Sequence, residues 1–155
     1  MRLAHDMSHW PEHQMVHRLF TIRWTAGCVH TRLHGTIVDD PQTRRQIDAW
    51  AAMLDEIIPQ LGGDFVTILD TSSLGQIPRS LWFELVKLTR GMLRKPVRRA
   101  LIAAEGSAGD NHAETAQLVT AGNVRVFRPE QFDVALDWLA AAGTIEGHRI
   151  RRFMS

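Results

Sequence analysis

The chain has 155 residues, 45% hydrophobic and 23% charged, with a formal net charge of +1 when histidine is neutral. This is ordinary globular composition, not a disordered or membrane profile, and it sets up no global field that would draw the protein onto nucleic acid or an anionic surface. The longest apolar runs, Ala49 to Leu54 and Trp138 to Ala142, fall far short of the roughly 18 residues that a membrane span requires.

A single cysteine, Cys28, leaves no internal disulfide framework and no thiolate-rich zinc site; we read it as a small apolar strand residue. The opening stretch MRLAHDMSHWPEH has no apolar core and no small-residue cleavage pattern, so no secretory signal is expected. The expectation is a cytoplasmic protein of one domain, since a chain of this length can bury a sizeable core.

Residues 1–16 show little periodicity and contain Pro11, which marks them as an N-terminal arm. Phe20, Ile22 and Trp24 then alternate with Thr21, Arg23 and Thr25, the period of a half-buried strand. Ala26-Gly27 makes a turn, and Cys28 to Leu33 completes a hairpin ending at His34-Gly35. Asp40-Pro41 opens a helix, because the Asp carboxylate accepts from an orphan first-turn amide and Pro at the first position needs no donor. Ile47, Trp50, Ala51, Leu54, Ile57 and Ile58 line one face of it. Pro59 and Gly62-Gly63 close it.

Asp64 to Asp70 reads as a central strand buried on both faces. A helix follows from Pro78, with Leu81, Trp82, Leu85, Leu88, Thr89 and Met92 inward, until Pro96 stops it. Val97 to Ala104 is a further strand, Asp110 to Thr120 a shorter helix, and Asn123 to Phe127 the last strand. A final helix from Pro129-Glu130 places Phe132, Ala135, Leu136 and Leu139 on one face, with Trp138 beside them. Gly143 ends the packed domain, leaving 143–155 as a basic tail. Alternation after the hairpin predicts an α/β fold with a mostly parallel central sheet, an N-terminal hairpin and about four helices.

This order resembles that of the STAS and SpoIIAA-like superfamily, the small domains of anti-sigma factor antagonists and of the cytoplasmic parts of anion transporters. The likeness spans about residues 17–142. It rests on the hairpin with Gly35, on Phe65-Val66-Thr67-Ile68-Leu69-Asp70, and on the closing Val124 to Leu139 segment with its Phe127 and its Ala135-Leu136-Asp137-Trp138-Leu139. The resemblance implies a non-enzymatic regulatory module. Antagonist members carry a phosphorylated serine within Asp-Ser-Ser-Gly at a helix start. Here those four positions fall on Pro78, Arg79, Ser80 and Leu81, so the motif is broken. Ser80 is the remaining candidate for modification, and the ligand or partner role of the broader members suits this chain better.

The loop from Asp70 to Ser80 is the first candidate site on physical grounds as well. It leaves the carboxyl end of a central parallel strand, where open α/β sheets place ligands, and leads into a helix N-terminus that favours anions. Asp70, Thr71, Ser72, Ser73, Arg79, Ser80 and Trp82 are the binding residues expected. The competing structural reading is that these polar groups satisfy turn amides. His5, His9, His13 and His17 recur every four residues, but Pro11 interrupts a helical metal site there, and no metal or cofactor is expected. Asp110, His112 and Glu114 come without any catalytic motif around them, so no catalytic residue is assigned. The basic stretches Arg94 to Arg99 and His148 to Arg152 are respectively a helix end and a candidate docking tail for an acidic partner.

The function expected is a regulatory binding module working through protein–protein contact, with a second copy of the chain as one candidate partner. The alternative is a carrier holding an apolar or anionic small ligand between the sheet and the helices that begin at Pro78 and Asp110. Neither nucleic acid nor a membrane span is expected.

Overall fold

The computed structural model describes residues 13–16, 19–81, 84, 94–107, 110 and 123–155. Strands β1 (His13–Val16), β2 (Phe20–Thr25) and β3 (Cys28–Gly35) form an antiparallel meander, with His13 opposite Trp24 and Phe20 opposite Leu33. Strands β4 (Val66–Leu74), β5 (Arg98–Ile102) and β6 (Val124–Phe127) continue the sheet in parallel with β3. The order is sequential from β1 to β6. The fold is α/β with a mixed sheet, as the alternation predicts, and the opening hairpin gains a third strand from residues assigned to the arm.

Gly27 makes the tight turn between β2 and β3. Its φ of +79° suits glycine, and an added Cβ there would lie 2.2 Å from the carbonyl oxygen of Thr144. Three other segments meet at this residue. Its amide donates to Leu61 O, and its carbonyl accepts from the amide of Val66 and from Thr144 Oγ1.

Helix α1 (Pro41–Ile57) begins as its cap chemistry dictates: Asp40 Oδ1 accepts from the Thr43 amide at 2.7 Å, with Pro41 next in the chain. Its buried stripe of Thr43, Ile47, Trp50, Leu54 and Ile57 covers one face of the sheet, where Phe20, Ile22, Val29, Leu33, Leu69 and Leu101 meet it. Residues one position along on the same strands point the other way. Cys28, Val66, Ile68, Ala100, Ile102 and Phe127 pack against helices α2 (Phe132–Ala140) and α3 (Gly147–Met154). Burial pushes the Cys28 thiol up to about 12, which leaves it a packing residue.

Two expectations are corrected here. The stretch read as a basic tail contains α3, and Ile150 and Phe153 are 0% and 1% exposed in the second core. A three-residue spacing on a short helix puts both on its inner side, and Arg23 locks the end by donating to Phe153 O at 2.6 Å. The candidate docking arginine Arg151 is paired with Asp137 of α2. The second correction concerns β4, which runs to Leu74 where a loop from Asp70 was expected. Leu74 and Ile77 are buried anchors that hold this stretch against the core. The Gly75 amide donates to Gly35 O and the Ile37 amide to Gln76 O, so the exits of β3 and β4 are joined by backbone bonds.

Strands β5 and β6 occupy the predicted segments within a few residues. The expected helices from Pro78 and from Asp110 lie mostly outside the described residues, where 79–81, 84 and 110 are helical. Among the described residues no helix is long and apolar enough to cross a membrane.

Candidate functional site

The predicted site residues divide between the two faces of the sheet edge formed by the carboxyl ends of β3 and β4. Arg32 of β3 lies opposite Asp70 of β4, and a register shift between Arg32 and His34 then pairs His34 with Ser73. That irregularity, one extra residue against its partner strand, re-aims the side chains beyond it. Arg32 Nη2 donates to Ser73 Oγ at 2.5 Å. Asp70 Oδ1 accepts from both the amide and the hydroxyl of Ser72, at 2.9 and 2.6 Å. Arg32, Ser72 and Ser73 are exposed and Asp70 is half-buried. These four form a polar ledge of mixed charge.

Thr71 does not belong to it. Its side chain is buried and its hydroxyl donates to Ile102 O at 2.7 Å, so it ties β4 to β5. Ser80 belongs to a separate cluster. Its hydroxyl donates to Asp39 Oδ2 at 2.6 Å, and Arg44 holds both oxygens of the same carboxylate at 2.8 and 3.0 Å. The hydrogen bonds from Arg44 and then Ser80 hold the Asp39 carboxyl below its usual range, and the same pairing raises Arg44. Arg79 is exposed at the start of the helical turn. Trp82 lies outside the described residues.

The strand order has a direct bearing on ligand binding. Open α/β sheets form a crevice where the winding reverses, whereas this sheet winds from β3 to β6 in one direction. Among the described residues, the carboxyl ends of β3 and β4 are therefore not flanked by a reversal of strand order.

His30, one pair of residues before Arg32, went unnoticed in the sequence. Its side chain is 8% exposed and neither ring nitrogen has a hydrogen-bond partner. Burial lowers its pKa to about 4, against a smaller raising effect of Asp70, and Arg23 and Arg32 lower it further. A strand histidine flanked by Val29 and Thr31 carries no signal beyond alternation. Arg32, Asp39 and Arg44 were missed for a different reason: each meets a partner residue that only the fold brings near.

Asp110, noted in the sequence beside His112 and Glu114, forms a loop clamp. Asp110 accepts from the Gly106 amide at 2.9 Å and from Arg128 Nη1 at 2.8 Å. Those two contacts, in that order, hold its carboxyl below the usual range. His112 and Glu114 lie outside the described residues. Of the four spaced histidines only His13 is described, within β1, where the helical spacing does not apply. Among the described residues no three His, Cys, Asp or Glu side chains are grouped to hold a metal ion.

No protein-family model matches the chain, and no curated protein matches its sequence.

Proposed function

We propose that this chain is a regulatory binding module that works by protein–protein contact, in the manner implied by its resemblance to STAS and SpoIIAA-like domains. The observation that supports this reading is the ledge of Arg32, Asp70, Ser72 and Ser73. It offers a guanidinium, a carboxylate and two hydroxyls at the ends of two paired strands, and Arg is enriched at protein interfaces whose rims are polar and solvent-accessible. Val38, shortly after the end of β3 in the chain, is an exposed large apolar residue at 57%.

The carrier reading places its ligand between the sheet and the helices that begin at Pro78 and Asp110, which lie mostly outside the described residues. The cavity between α1 and the sheet is a different place, and at about 20 Å³ it is too small for such a ligand, since pockets for small organic ligands run to roughly 300 Å³ or more.

Site-specific photo-crosslinking in the native host tests the proposal. A crosslinker at Ser73 should capture a discrete protein that the same group at Gln60, exposed in the short 3-10 turn after α1, does not. Equal capture from both positions, or none from Ser73, contradicts it.

A further inference from the structure

Strand β6 ends the sheet on the side away from β1, and its pairing with β5 fixes which backbone groups it uses. The Arg99 amide donates to Asn123 O and the Ala103 amide to Phe127 O. Arg125 lies midway between those two acceptors and shares their phase in the ladder. Along a parallel strand the backbone groups of successive residues point to alternate sides, so Val124 and Val126 turn their N–H and C=O away from β5. Among the described residues no backbone bond between elements reaches those four groups.

The side chains beside that edge are cationic and aromatic. Trp138 of α2 packs on Phe127 with ring centres 5.7 Å apart. The Arg125 and Arg98 guanidiniums lie 4.9 and 5.1 Å from the centre of the Trp138 ring, and Arg98 Nη1 donates to Trp138 O at 2.5 Å. Two positive charges thus converge on one half-buried indole. Among the described residues neither is paired with a carboxylate. The acids of α2 are engaged elsewhere: Asp137 pairs with Arg151 of α3, and Asp133 acts on the same guanidinium. An arginine on an edge strand can serve only to keep other chains away. Here the exposed Arg125 is held on a ring beside a second cation, which makes a positioned positive site next to open backbone groups.

We propose that the outer edge of β6 takes up an extended acidic segment of a partner protein, which adds to the sheet as a further strand. The outward groups of Val124 and Val126 supply the main-chain bonds of such an addition. A residue opposite Arg125 is its cross-strand neighbour, so a carboxylate there meets Arg125 and Arg98 on Trp138. The residues on either side of that carboxylate lie on the other face, beside the side chains of Val124 and Val126, and are apolar. The pattern recognised is therefore apolar–acidic–apolar. A second copy of this chain fits poorly: the antiparallel register that uses all four backbone groups sets Val124 opposite Val126 and Arg125 opposite Arg125, and like charges directly opposite repel. A nucleic-acid strand offers phosphates to the arginines but no row of amides to the edge. The surface is separate from the ledge and does not depend on the function proposed for it.

The test is an NMR titration of the isotope-labelled full chain with a capped peptide of alternating valine and glutamate, and with its counterpart of alternating valine and lysine. The glutamate peptide should shift the Val124 and Val126 amides and the Trp138 indole, saturating with a dissociation constant of about 1 mM or tighter, and the lysine peptide should not. Arg125→Glu should weaken the glutamate peptide at least about tenfold and admit the lysine peptide at the same resonances. The amide spectrum of the variant shows whether it is folded; if it is not, the contrast between the two peptides on the wild type decides alone. No saturable shift with the glutamate peptide, shifts that lie away from β6, or an equal response to both peptides overturns the proposal. A single-stranded oligothymidylate that shifts the same resonances when the glutamate peptide does not overturns it as well, and assigns the arginines to nucleic-acid phosphates.

Discussion

Ser80 Oγ donates a 2.6 Å hydrogen bond to Asp39 Oδ2, joining the start of the helical turn after β4 to the segment that leads into α1. Arg44 donates to both oxygens of the same carboxylate. Negative charge added at position 80 would therefore face negative charge at Asp39. Ser80→Glu should lower the thermal midpoint more than Ser80→Ala does, and Asp39→Asn combined with Ser80→Glu should recover most of the difference. Differential scanning of the four proteins checks this; equal midpoints for Ser80→Glu and Ser80→Ala would mean that the pairing is too solvated to matter.

His30 makes stability depend on pH with a definite sign. Its pKa is lowered from 6.5 to about 4 in the folded state, so the unfolded chain binds the proton more readily. The contribution is fully present above pH 6.5 and is lost as the pH falls toward 4. Between pH 7 and pH 5 the loss amounts to about 2 kcal/mol. Urea unfolding at the two pH values should show it, and His30→Gln should flatten that part of the dependence. The charged groups around the imidazole are Asp70, Arg23 and Arg32; the variant leaves all three in place.

Phe153 separates a packed α3 from a solvated tail. It is fully buried, and the Arg23 guanidinium lies 4.8 Å from the centre of its ring. Truncation of a buried phenylalanine costs about 3–5 kcal/mol, so Phe153→Ala should shift the urea midpoint strongly. Arg152→Ala, at an exposed position next to it, should change stability by about 0.5 kcal/mol or less.

What was legible in the sequence was local. The alternation of Phe20, Ile22 and Trp24, the Asp40-Pro41 start of α1 and the shared face of Ala135, Leu136 and Leu139 all depend on neighbours within a turn or two. The structure agrees with each. Thr71-Ser72-Ser73 has the composition of a loop, and it becomes strand because His34 and Gly35 pair with Ser73 and Leu74. α3 is short and rich in arginine, so its two buried residues, Ile150 and Phe153, were too few to stand out against the charge around them. The site was less legible than the fold for the same reason. Arg32 meets Ser73, and Asp39 meets Ser80, across forty-one positions in each case.

The central claim is that the ledge at the ends of β3 and β4 contacts a protein partner, and Arg32 is its exposed cation. The direct measurement is the affinity of the partner captured at Ser73 for wild type and for Arg32→Glu, taken by calorimetry alongside the thermal midpoint of each protein. A charge reversal within a polar contact surface should weaken binding at least about tenfold while the midpoint changes little, since an exposed position contributes little to stability. An unchanged affinity with an unchanged midpoint would contradict the account and move the contact surface away from the ledge.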